Sequence, residues 1–81
     1  MTNEEIESTI KRILAEDFEI DTSGVTSGTD LFSELDLDSI DAVDLMVRLQ
    51  QEVGKKVDPA QFKKIRTFGD TVSAVSELVN G

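Results

Sequence analysis

With 81 residues, 38% of them hydrophobic and 31% charged, the chain has material for one small globular domain and no more. It contains no Cys and no His, which excludes a disulfide framework, a thiolate metal site, a Cys nucleophile and a His general base. The formal net charge of −9 is localised: residues 1–54 hold 14 acidic and 3 basic side chains (net −11), residues 55–81 hold 3 acidic and 5 basic (net +2). Such a surface repels nucleic acid and anionic lipid and steers basic proteins towards itself. No apolar run approaches the ~20 residues that span a bilayer. The acidic start Met1-Thr2-Asn3-Glu4-Glu5 lacks the apolar core of a signal peptide, so a cytoplasmic location is expected.

In chain order, Thr2-Asn3-Glu4-Glu5 reads as a helix start, with Asn3 or Thr2 as cap and carboxylates in the first turn. Ile6, Ile10, Ile13 and Leu14 then fall on one helical face, and the helix fades near Asp17 to Glu19. Residues 18–38 have no helical period and are rich in turn formers, among them Asp21, Ser23, Gly24 and Gly28. Yet Phe18, Ile20, Val25, Leu31, Phe32, Leu35 and Leu37 punctuate them. This predicts a long ordered loop pinned to the core, with a helical turn around Leu31 to Leu35, and a loop of that length is a prompt to look for function.

Asp38 is placed to cap a second helix, and Asp41, three residues on, completes a variant capping box. Leu45, Met46 and Leu49 suit a buried face. Ile40, Val43 and Val47 form a second apolar line, so this helix is either widely buried or shows one line to a partner. Gly54 ends it, and Lys55 and Lys56 complement its C-terminal dipole. Asp58 and Pro59 start a short helix anchored by Phe62 and Ile65. Thr67-Phe68-Gly69-Asp70 opens a closing helix bearing Val72, Val75, Leu78 and Val79. The expected fold is all-α: one domain over 1–81, a small antiparallel bundle with helices over about 3–17, 39–53, 59–65 and 68–79.

Four chemistries are tested against these residues. Hydrolysis at Ser39 needs a base the chain does not offer, and Asp36/Asp38 and Asp41/Asp44 read as solvated helix-start charges, so an enzyme is not expected. An EF-hand starting at Asp36 wants Gly at its sixth position and Glu at its twelfth, where Asp41 and Val47 stand, and no metal site is expected. Nucleic-acid binding has only the Lys63, Lys64 and Arg66 cluster behind it, which reads as a solvated face. The fourth is a modified serine. Ser39, directly after the cap Asp38, projects its hydroxyl to solvent, where a phosphodiester would meet unpaired N–H groups and the positive end of the dipole, opposed in part by the nearby carboxylates. From position alone the ordinary helix-start serine is the favoured reading of Ser39, since Ser next to Asp at a helix start is common.

The wider pattern adds to this. Leu35-Asp36-Leu37-Asp38-Ser39-Ile40-Asp41 resembles the phosphopantetheine attachment motif of acyl carrier proteins, and Ala42 to Val47, the preceding Asp30-Leu31-Phe32 and the Thr67 to Asp70 helix start are similar to that family as well. The resemblance implies that Ser39 takes a 4′-phosphopantetheine arm from coenzyme A through a separate phosphopantetheinyl transferase. The arm's thiol would then carry acyl groups as thioesters on a monomeric, non-catalytic carrier that shelters the acyl chain between its helices. It implies that Asp38 holds the turn. Asp41 and Asp44, with the Ile40, Val43 and Val47 line, would face acyl-processing enzymes with basic docking surfaces. Ile40 stands where Leu is usual, and Arg48, Gln50 and Gln51 make this helix less acidic than in typical fatty-acid carriers. The pathway, whether fatty-acid, polyketide or specialised lipid, stays open, as do a peptidyl or D-alanyl carrier and an unmodified acidic interaction module.

Overall fold

A computed structural model describes residues 2–56 and 64–80. The fold is all-α, with helices α1 (Asn3–Asp17), α2 (Ser39–Val53) and α3 (Phe68–Asn80) and no strand among the described residues. The short helix expected over 59–65 falls almost wholly outside them, as does its anchor Phe62; the other anchor, Ile65, is buried.

Each helix begins on a reciprocal side-chain cap. At α1 the choice between Thr2 and Asn3 falls to Thr2, whose Oγ1 accepts from the Glu5 N–H while the Glu5 carboxylate accepts from the Thr2 N–H. α1 ends where the N–H groups of Phe18 and Ile20 both donate to the Leu14 carbonyl, with Glu19 at φ 55°. α2 stops at Gly54, whose φ of 71° suits a residue without Cβ and whose N–H donates to the Gln50 carbonyl. At α3 the Thr67 hydroxyl accepts from the Asp70 N–H, and Asp70 Oδ2 accepts from the N–H groups of Thr67 and Arg66.

α1 packs against both other helices. Its stripe Ile6, Ile10, Ile13 and Leu14 is wholly removed from solvent, together with Leu45 and Leu49 of α2, and Phe68, Val72 and Val75 of α3 are buried beside them. Each such side chain contributes about 1.5–3 kcal/mol of transfer free energy. Lys11 Nζ lies 5.7 Å from the centre of the Phe68 ring, a cation–π contact between α1 and α3.

The segment between α1 and α2 is tied to the start of α3 by backbone bonds. Leu31 N–H donates to the Arg66 carbonyl at 2.8 Å, Phe68 N–H to Thr29 at 2.9 Å and Gly69 N–H to Ser27 at 2.9 Å. A Cβ at Gly69 would meet the Ser27 carbonyl oxygen at 2.8 Å, so only glycine permits this approach. Val25, Leu31 and Leu37 add buried apolar groups from the same segment.

Asp30 organises the turn that follows. Its Oδ1 accepts from the N–H groups of Phe32 and Ser33, and Arg66 lies 3.6 Å from its Oδ2. Bonds from the Ser33 and then the Phe32 backbone, with Arg66 adding a smaller attraction, hold the Asp30 carboxyl below the usual carboxylate range. The Thr67 and Arg66 N–H groups do the same for Asp70. For depressed carboxyls the stabilisation is complete above the ordinary carboxylate range and drains away as pH falls through it towards the lowered native values. Melting temperature followed from neutral pH down through that range is therefore expected to fall more steeply for the wild type than for Asp70→Ala. Parallel curves would show that the Asp70 cap contributes no such linkage.

Candidate functional site

The functional stretch starts where the loop hands over to α2. Leu37 is buried and its N–H donates to the Leu31 carbonyl at 3.2 Å, fixing the chain to the core two residues before Ser39. Asp36, at φ 57°, turns the backbone there. Asp is among the few residue types besides glycine that accept this conformation readily.

Asp38 is the cap, with extended backbone. Its Oδ1 accepts from the Asp41 N–H at 2.9 Å, and Asp41 Oδ2 accepts from the Asp38 N–H at 3.2 Å. Both carboxylates are thereby engaged in holding the turn, and the Asp38 carbonyl takes the Ala42 N–H. Ser39 is the first residue of α2 and is exposed. Its hydroxyl takes no part in the cap. The N–H groups of Ser39 and Ile40 find no protein acceptor among the described residues, and they lie at the positive end of a 15-residue helix. An exposed primary hydroxyl beside two such donors fits a phosphodiester linkage.

The two apolar lines of α2 separate cleanly. Leu45 and Leu49 are fully buried, whereas Ile40 is 70%, Val43 52% and Val47 41% exposed. Ile40, Val43 and Val47 share one outward face, with Asp44 exposed beside them and Asp41 half-buried. A shallow depression lined by Asp17, Phe18, Asp44, Val47 and Arg48 lies where this face meets the end of α1.

Arg48 has a role its sequence position does not show. Its Nε lies 2.7 Å from Asp17 Oδ2, off the hydrogen-bond axis and so an ion pair more than a directed bond, and its Nη2 lies 3.6 Å from Glu52. Glu52 also meets Arg12 at 2.8 Å, which joins α1 to α2 by charge. Arg48 is thus engaged with α1 instead of offering a free positive charge beside the exposed apolar line. The spacing of Arg48 and Glu52, four residues apart, signals their pair, but nothing local signals Asp17. Asp30 is a second organiser, and its carboxylate accepting the N–H two residues on is the local turn chemistry that Asp favours.

Among the described residues no cluster of acidic side chains is arranged to hold a metal ion, and no helix is long and apolar enough to cross a membrane.

Residues 8–75 match the family model described as the phosphopantetheine attachment site. The chain is 49% identical over 79 residues to acyl carrier protein 2 of Ralstonia nicotianae, covering 98% of each chain. It is 42% identical over 76 residues to the acyl carrier protein of Thermotoga maritima, covering 94% of each. Among solved structures it is similar to the acyl carrier protein from Enterococcus faecalis, with a TM-score of 0.79 at 27% identity over 96% of this chain and 99% of that one.

Proposed function

This chain belongs to the acyl carrier protein family, whose cofactor is phosphopantetheine, and on that premise we propose that Ser39 is the residue that takes the arm. The observation that carries this is the exposed Ser39 hydroxyl at the first position of α2, beyond a cap made entirely by Asp38 and Asp41.

The protein is a non-catalytic carrier in biosynthesis. It interacts with a phosphopantetheinyl transferase and with acyl-processing enzymes. On loading, a phosphodiester bond forms at Ser39 Oγ, the pyrophosphate bond of coenzyme A breaks, and the nucleotide half leaves. The proton of the hydroxyl must also be taken up, and this chain has no His to receive it. The bound arm supplies a thiol on which acyl groups ride as thioesters. With no Cys in the chain, that thiol has no internal competitor for them.

The rest of the work belongs to the chain's own surface. Asp38 and Asp41 fix the turn so that Ser39 is presented at a rigid helix start. Exposed Ile40, Val43 and Val47 offer partner enzymes an apolar strip, and Asp41 and Asp44 beside it attract their basic groups. Charges of this kind raise association rates and set orientation more than they raise affinity. We place the protein in the cytoplasm as a monomer serving fatty-acid or specialised lipid or polyketide synthesis.

The test is an intact mass after incubation of the purified protein with coenzyme A, magnesium and a broad-specificity transferase. An increase of one phosphopantetheine per chain is expected. No increase under conditions that load a control carrier would leave an unmodified acidic interaction module in its place.

A further inference from the structure

The partner-facing side of α2 does not keep one sign of charge along its length. At its start stand Asp38, Asp41 and Asp44. Arg48 is drawn into pairs with Asp17 and Glu52. Beyond it the helix carries Gln50 and Gln51, and two exposed lysines follow Gly54: Lys55, whose Nζ donates to the Leu78 carbonyl of α3 at 3.4 Å and keeps its charge at the surface, and Lys56. The apolar line connects the two ends. Val47 lines the depression shared with Asp44 and Asp17, and it also lines a second depression formed with Gln50, Gln51, Gly54, Lys55 and Lys56. The exposed strip thus runs from a carboxylate end at Ser39 to an ammonium end about 20 Å away at 1.5 Å per residue. Cations at a helix C-terminus complement its dipole, but that role alone does not call for a depression continuous with the exposed apolar line.

We infer that α2 is a two-ended docking surface whose occupant is a protein carrying basic groups opposite Asp38, Asp41 and Asp44 and a carboxylate opposite Lys55 and Lys56. The inference rests on the docking role proposed above for Ile40, Val43 and Val47. A second copy of this chain offers the same charge order, but each copy brings a net charge of −9, which opposes self-association. A uniformly basic partner would meet Lys55 and Lys56 with like charge, so the two ends fix the direction in which a partner lies along the helix.

The test uses the full chain, labelled with nitrogen-15, and two synthetic helical peptides of identical composition with a leucine stripe. One peptide has its lysines at one end and its glutamates at the other; the other peptide has them interspersed. The segregated peptide is expected to bind α2 about five-fold more tightly, the size of effect that two exposed ion pairs supply. A nitroxide on its acidic end should broaden the amides of residues 54–56, and one on its basic end those of residues 38–41. In the Lys55→Glu/Lys56→Glu variant the preference should vanish while Val43 and Val47 amides still shift. Equal binding of the two peptides, or a preference that survives the double substitution, would overturn the inference while leaving the docking face intact. Absence of either peptide from α2 would overturn both. Concentration-dependent shifts of α2 amides without peptide would make a second copy the occupant and overturn the inference as well. None of these outcomes bears on loading at Ser39, which the mass measurement reads separately.

Discussion

Ser39→Ala is expected to accept no arm at all and to fold as well as the wild type. The two halves of this result have separate causes. Loading needs an oxygen nucleophile at the helix start, and alanine has none. Folding needs the cap, and the cap is made by the Asp38 and Asp41 carboxylates without the Ser39 hydroxyl. Alanine is also the best helix former, so the first turn of α2 loses nothing by it. The expected change in stability is within about 0.5 kcal/mol. Melting temperature and intact mass of the same sample check both halves. A Ser39→Ala chain that still gains the arm would exclude Ser39 as its site, and one that unfolds would show that the hydroxyl is structural.

Leu45→Ala is expected to do the reverse, removing stability while leaving the attachment chemistry untouched. Leu45 is fully buried on the opposite side of α2 from the exposed line of Ile40, Val43 and Val47. Its truncation forfeits transfer free energy and leaves a cavity, a loss of about 2–5 kcal/mol. A domain this small has little to spare from a total of about 5–15 kcal/mol. Thermal unfolding should shift down by roughly 10 °C or more. Val43→Ala, two residues earlier and 52% exposed, is expected to leave the melting temperature nearly unchanged. Equal losses at the two positions would mean that α2 is buried on both sides and that no apolar strip is available to partners.

That contrast shows what the sequence makes legible. Leu45 and Leu49 are separated from Ile40, Val43 and Val47 by helical spacing alone, and burial then distinguishes an inner from an outer line. The caps of α2 and α3 are equally local, since each is an oxygen-bearing side chain three residues from its partner. The loop is a different case. Its order comes from Leu31 meeting Arg66 and Thr29 meeting Phe68, pairs more than thirty residues apart that leave no periodic trace. Asp36 at positive φ has no neighbouring signature, because Asp occurs in many conformations. Arg48 looks in sequence like a loss of acidity on α2. In the fold it is an α1–α2 ion pair, which spacing within one helix cannot reveal. Local chemistry was therefore readable at Asp38, Ser39 and Asp41, and what holds that stretch against the rest of the molecule was not.

One hydroxyl, set at the start of α2 by an aspartate cap, is the proposed attachment point. The most direct test is fragmentation of the loaded protein in the mass spectrometer to locate the added group among the seven serines of the chain. A single phosphopantetheine on fragments containing Ser39 is the predicted result. The same mass on Ser8, Ser23, Ser27, Ser33, Ser73 or Ser76 would contradict it.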